Sequence, residues 1–125
     1  MSGDKFFLDT NAFIYFFEGR QKITELVIRA LTLCFSPISE IELLSTPHLT
    51  QAEITQIKTF LLLCQPIELT SDVIEKTIAI RREYRFKTPD AIIAASALSL
   101  NIPLVSADTD FEKVVGLALV SDILS

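Results

Sequence analysis

Histidine occurs once in the 125 residues, cysteine twice, glycine three times and proline five times. Each scarcity excludes something. His48 lies in the turn-like stretch Ser45-Thr46-Pro47-His48, so neither a Ser-His-Asp triad nor an HExxH zinc site has its parts. Cys34 and Cys64 fall in apolar runs without CxxC spacing, which reads as two buried free thiols and no disulfide framework. No glycine-rich loop is present to cradle a phosphate. Without a Gly/Pro-rich linker, a low-complexity stretch or an internal repeat, residues 1–125 read as a single domain. Long apolar runs are also missing. Stretches such as Ala12–Phe17 and Phe60–Cys64 are far shorter than the roughly 20 residues of a membrane-spanning helix. Asp4 precedes the first aromatic run, and Asp9 and Asn11 break it, so the expectation is no signal peptide, no membrane and a cytoplasmic location.

What remains is a composition able to build a core: 50% of residues are hydrophobic and 22% charged. Sixteen acids against eleven bases leave a net charge of −5, which argues against a nucleic-acid coat acting through bulk positive charge. Any phosphate ligand must meet a local basic patch or a metal ion. Short strand-like runs alternate with helical patterns: strands over Lys5–Leu8, Leu33–Phe35, Pro66–Leu69, Pro103–Ser106 and Leu117–Val120. Helical spacing covers Ala12–Phe17, then Ile23, Leu26, Val27, Ala30 and Leu31, and later Thr50–Leu63. Ser39 is a candidate cap with Glu42 three residues on, and Thr70 or Ser71 caps a helix that ends in Arg81, Arg82, Glu83, Arg85 and Lys87. Thr88-Pro89-Asp90 reads as cap, first position and first-turn acid of a helix so apolar from Ala91 to Leu100 that it must be buried on most sides. The alternation predicts an α/β fold, a parallel sheet of four to five strands with helices on both faces.

In such a sheet, sites form beyond the carboxyl ends of strands. Asp9 follows the first strand, Asp108 follows the fourth, and Glu42 and Asp90 sit near the starts of helices. Taken singly, Glu42 and Asp90 could serve only as helix N-terminal acids, and Asp9 and Asp108 as turn residues. Together at one sheet edge they form a carboxylate cluster that cannot be fully ionised without a counter-charge. With oxygen ligands alone, Mg²⁺ or Mn²⁺ is favoured over Zn²⁺. The bases Arg81, Arg82, Arg85 and Lys87, just before Asp90, are placed to hold a substrate backbone. Phe13, Tyr15, Phe16 and Phe17 follow Asp9 and read as core, or as a groove for a partner peptide.

Four blocks in order, Leu8-Asp9-Thr10-Asn11, Ser36-Pro37-Ile38-Ser39-Glu40-Ile41-Glu42, Thr88-Pro89-Asp90-Ala91-Ile92-Ile93-Ala94-Ala95 and Val105-Ser106-Ala107-Asp108-Thr109-Asp110-Phe111, resemble the motifs of PIN-domain nucleases over nearly the whole chain. At this length the chain looks most like the VapC toxins of toxin–antitoxin pairs. The resemblance implies a PIN-like three-layer α/β/α fold and an endoribonuclease that uses Mg²⁺ or Mn²⁺ to hydrolyse RNA. It implies Asp9, Glu42, Asp90 and Asp108 as catalytic metal-site acids, Asp110 as an outer acid, and Asn11 and Ser106 as orienting groups. Where the family often carries Thr-Arg, this chain has Ser106-Ala107-Asp108, so Arg82, Arg85 and Lys87 are the bases offered for RNA. The expected partners are a cognate antitoxin, seated near Phe13, Phe16 and Phe17, and a second copy in a homodimer.

Three rivals were open to the same residues. A receiver domain lacks the mid-strand Asp, since the third strand ends at Leu69-Thr70, and a haloacid-dehalogenase phosphatase needs an Asp where Asn11 stands. A catalytically inactive PIN scaffold acting only as a binding partner shares every motif and is separated by metal titration.

Overall fold

A computed structural model of the chain describes residues 4–125. Its elements run β1 (Asp4–Leu8), α1 (Thr10–Phe17), α2 (Gln21–Arg29), β2 (Ala30–Phe35), α3 (Pro37–Leu44), α4 (Gln51–Leu62), β3 (Gln65–Pro66), α5 (Ser71–Tyr84), α6 (Thr88–Leu100), β4 (Leu104–Val105), a 3₁₀ turn (Thr109–Lys113) and β5 (Leu119–Val120). All strand pairings are parallel, in the order β3-β2-β1-β4-β5. Helices cover both faces, which gives the expected three-layer α/β/α arrangement with five strands.

The pleat of β1 divides the interior. Phe6 and Leu8 point to one face, where they meet Phe13 of α1, Ile23 and Leu26 of α2, Leu43 of α3, and Ile57 and Leu61 of α4. Phe7 points to the other, against Val73 and Ile80 of α5 and Ala91, Ile93, Ala94 and Ala97 of α6. The run of alanines explains the burial of α6, because small side chains allow it to lie close between the sheet and α5. Asn101 ends that helix in the left-handed conformation, φ 55°, which Asn tolerates better than most residues.

Chain order around β1 positions the site. The chain steps outward from β1 to β2 and β3, then returns to lay β4 on the other flank of β1. The carboxyl ends of β1 and β4 therefore lie side by side where the strand order reverses, and the loops leaving them diverge into a crevice.

Several boundaries differ from expectation. Ala30 and Leu31 belong to β2, not to a helix, because Ala30 pairs with Asp4 and the strand continues alongside β1. The strand β3 is only Gln65–Pro66, and Pro66 is tolerated there because β3 is an edge. Ser39 does not cap α3. Ser36 does, accepting a hydrogen bond from the Ile38 amide at 3.1 Å, with Pro37 as the first helical residue, and Glu42 consequently sits in the second turn. Thr88 is the first residue of α6 and not its cap, which is Lys87 without a side-chain bond. Arg85 and Lys87 lie outside α5, whose last residue is Tyr84.

Phe13 corrects a further expectation. It is 0% exposed and its ring lies 6.0 Å from Phe35 and 5.9 Å from Phe60, both edge-on, so it offers no surface to a partner. Phe13→Ala removes the centre of that aromatic cluster and is expected to cost about 3–5 kcal/mol. Urea unfolding measures the loss, and a cost under about 1 kcal/mol contradicts this packing.

Candidate active site

Asp9 caps α1 directly after β1 and is 5% exposed. Its neighbour in the sheet is Ser106, since Leu8 pairs with Val105 and the Asp9 amide donates to the Val105 carbonyl at 3.0 Å. The Ser106 hydroxyl donates to Asp9 Oδ2 at 2.7 Å, and the Thr10 amide donates to Oδ1 at 2.8 Å. Asn11, the second residue of α1, closes the arrangement. Its Nδ2 donates to Asp9 Oδ2 at 3.2 Å and to Ser106 Oγ at 3.1 Å, while its Oδ1 accepts from the Ala107 amide at 3.0 Å. Ser106 Oγ also accepts from the Asp108 amide at 3.1 Å. One buried serine thus ties the β1 acid to the start of the loop that carries Asp108 and Asp110.

A second chain of hydroxyls reaches Glu42. Thr10 Oγ1 donates to Glu42 Oε1 at 2.5 Å, which leaves the buried Ser39 hydroxyl as the donor to Thr10 Oγ1 at 2.8 Å. Sequence reasoning gave Thr10 no role and Ser39 the wrong one. The signal was present in the spacing: Ser39 and Glu42, three apart in a helix, share a face, and Thr10 stands between two residues already singled out.

Asp90 lies in the first turn of α6 and Asp108 caps the 3₁₀ turn, accepting from the Asp110 amide at 3.0 Å. Both line a pocket of about 250 Å³ with Asp110, Arg85, Phe86, Lys87 and Phe111. Arg85 and Lys87 therefore reach the site, whereas Arg82 is an exposed residue of α5 that does not line it. Phe86 and Phe111 were not anticipated as lining.

The electrostatics is that of crowded acids. The Asp9 carboxyl is pushed up to about 6 in all: burial raises it most, its bonds from Ser106 and Thr10 offset part of that rise, and the charges of Asp90 and Glu42 add to it. Asp90 is also raised, first by burial and then by Asp108 and Glu42, with Lys87 opposing. Among the described residues, none of Asp9, Glu42, Asp90 or Asp108 forms a salt bridge, while Asp110 has Lys113 at 3.7 Å. An all-oxygen donor set with unneutralised negative charge suits a hard divalent cation. No three such side chains among the described residues stand close enough together to enclose one as they are. Hydrogen bonds fix Asp9, Glu42 and Asp108 where they stand, so a cation would have to draw the acids together.

A carboxyl raised in the folded state binds protons more tightly there than in the unfolded chain. Asp9 therefore contributes stability at pH 4 that is lost as the pH rises through about 6, on the order of 3 kcal/mol by pH 7. In metal-free buffer, the unfolding free energy of Asp9→Asn should gain on that of the native chain by this amount between pH 4 and 7. A ¹³C titration of the Asp9 carboxyl should show a midpoint near 6; a midpoint at the ordinary value of 3.8 contradicts the assigned environment.

The family model of the PIN domain matches residues 6–117. No curated protein matches the sequence. Among solved structures, the chain is similar to the toxin–antitoxin complex from Klebsiella pneumoniae, with 27% identity over 91% of this chain and 94% of that one and a TM-score of 0.77. It is similar in fold to VapBC-1 from nontypeable Haemophilus influenzae, at 24% identity over 93% and 96% of the two chains with a TM-score of 0.78. DNA-bound VapBC from Salmonella typhimurium shares the fold too, at 21% identity over 94% and 97%, with a TM-score of 0.80. With the family model spanning all but the two ends, the chain belongs to the PIN domain family.

Proposed function

We propose that this PIN domain is a Mg²⁺- or Mn²⁺-dependent endoribonuclease, the toxin of a toxin–antitoxin pair. Proteins of the PIN family are nucleases. The observation that carries the finer reading is the convergence of Asp9, Glu42, Asp90 and Asp108, whose charges act on one another at the reversal point of the sheet with no salt-bridge partner among the described residues, beside a pocket edged by Arg85 and Lys87. A divalent cation would supply charge against that building on the phosphoryl oxygens and make a water acidic enough to attack phosphorus. The protein's share is orientation. Ser106 and Asn11 hold Asp9, and the Ser39–Thr10 relay holds Glu42. Arg85 and Lys87 attract the phosphates on either side of the scissile bond, and Asp110 adds negative charge at the pocket rim.

Asp90→Asn removes one ionic ligand at nearly constant volume. RNA cleavage in Mn²⁺ is expected to fall at least 100-fold while the fold persists, and in metal-free buffer the variant is expected to be more stable, because one repelling charge is gone. Unchanged cleavage by Asp90→Asn overturns the four-acid site. A native chain that cleaves no RNA with Mn²⁺ present supports the inactive scaffold instead.

The K. pneumoniae relative is a toxin–antitoxin complex, which supports an antitoxin partner here. An apolar groove between α1 and α4 supplies a seat: Phe17 lines it with Ile14, Leu43, Leu49 and Ile57 in a volume of about 310 Å³. Phe16 is half-buried on Phe60, with ring centres 4.6 Å apart, and is not among the residues that line the groove. Leu62 and Leu63, adjacent at the end of α4 and both strongly exposed, favour a homodimer as well. Light scattering of the purified chain is expected to give about twice 14.0 kDa. Co-expressed with the product of the neighbouring small gene, the chain should form a complex that Phe17→Ala weakens about tenfold. A monomer alone, or an affinity indifferent to Phe17, contradicts the corresponding assignment.

A further inference from the structure

The connection between α5 and α6 reads Arg85-Phe86-Lys87, cation, aromatic, cation, and all three residues line the pocket that holds Asp90 and Asp108. The turn is built stiffly. Arg85 adopts the left-handed conformation, φ 59°, which a non-glycine residue enters only at a cost of about 1 kcal/mol. Arg81 pins both ends of it: its carbonyl accepts from the Arg85 amide at 3.1 Å and its Nε donates to the Phe86 carbonyl at 3.2 Å. The Phe86 ring stands edge-to-face against buried Phe111, with centroids 5.6 Å apart and planes at 89°, and Tyr84 leans on it at 6.0 Å. Packing on one side leaves the ring half-buried, and its remaining surface belongs to the pocket. In the pocket the ring lies among two cations and three acids, with Phe111 as the other apolar residue of the lining.

Resting on the nuclease reading, we propose that Phe86 is a stacking platform for one unpaired base of a single-stranded RNA, next to the phosphate to be cut. Each part of a nucleotide then meets matching chemistry: a base on the ring, flanking phosphates on Arg85 and Lys87, and the scissile phosphate towards Asp90 and Asp108. The ring is immobilised beforehand by Phe111, Tyr84 and the Arg81 bonds, so stacking costs it little entropy. A base inside a duplex has no free face to offer, which makes the site selective for loops and single strands. A cationic peptide would also find an aromatic face and carboxylates here, but Arg85 and Lys87 line the same pocket and would repel it.

The chain contains no tryptophan, so Phe86→Trp places a sole indole at the site. In a double variant with Asp90→Asn to prevent cleavage, a single-stranded oligoribonucleotide is expected to quench the indole. The same sequence as a duplex, or an abasic strand of equal length, is expected not to. With Asp90→Asn as the reference, Phe86→Leu should weaken single-strand affinity about 5- to 100-fold and Phe86→Tyr by less than about threefold. Phe86→Leu binding as tightly as the reference, with cleavage by the native chain intact, overturns the platform and spares the nuclease. Quenching by an arginine-rich peptide but not by RNA overturns it in favour of a protein ligand. Absence of RNA binding and of cleavage in the native chain overturns the nuclease reading, and the platform with it.

Discussion

Asp9 is a carboxylate buried at the centre of the sheet's working edge, and the surrounding architecture serves the cost of keeping it there. Removing such a group from water raises its proton affinity, and the bonds from Ser106, Thr10 and Asn11 recover only part of that cost. The recovery depends on strand register. A shift by one residue between β1 and β4 would turn Ser106 to the opposite face and leave the acid against a hydrocarbon. The two apolar cores secure that register from both sides, because Phe6 and Leu8 on one face and Phe7 on the other are each buried against helices.

The same constraint governs the second rank of groups. Ser106 has one proton, which goes to Asp9, so its oxygen is free to accept from Asn11 and from the Asp108 amide. Thr10 spends its proton on Glu42 and accepts from Ser39. Each hydroxyl is both donor and acceptor, so the direction of every bond is set by the two carboxylates at the ends. No buried side-chain polar atom among the described residues is left without a partner. A network so fully satisfied restricts the rotamers of Asp9 and Glu42, the two acids it holds directly.

Much of this was legible in the sequence, and the gaps have physical causes. The short central strands, the buried alanine-rich helix and the four acids could be read because they depend on local pattern: an apolar run cut by Asp9, Pro89 at a helix start, Asp108 after Val105. Ala30 and Leu31 could not be read as strand, since their spacing fits a helix and only pairing with β1, a contact between residues far apart in sequence, overrides it. Ser36 and Ser39 both offered a hydroxyl as cap; Pro37, which cannot donate an amide hydrogen, decides for Ser36. Phe13, Phe16 and Phe17 look alike in sequence, yet helix geometry buries the first, half-buries the second and turns the third into a groove. Phe86 was invisible among basic residues because its place in the pocket comes from the turn at Arg85 and from Phe111, which follows it by 25 positions and meets it only through the fold.

The excess negative charge also makes the stability of the fold sensitive to cations. Any cation that enters among Asp9, Glu42, Asp90 and Asp108 stabilises the folded state by an amount set by its concentration over its dissociation constant. It does so by relieving repulsion that the fold sustains in its absence. A metal ion and a cationic side chain from a partner protein would draw on that same repulsion, so binding of one weakens binding of the other even where their contacts differ. Lys113, which already stands near Asp110, shows how a single ammonium settles at the rim while the inner acids remain without one. Arg85 and Lys87 line the same pocket as Asp90, Asp108 and Asp110, carried on a turn that Arg81 holds in place, so charges of both signs border one space.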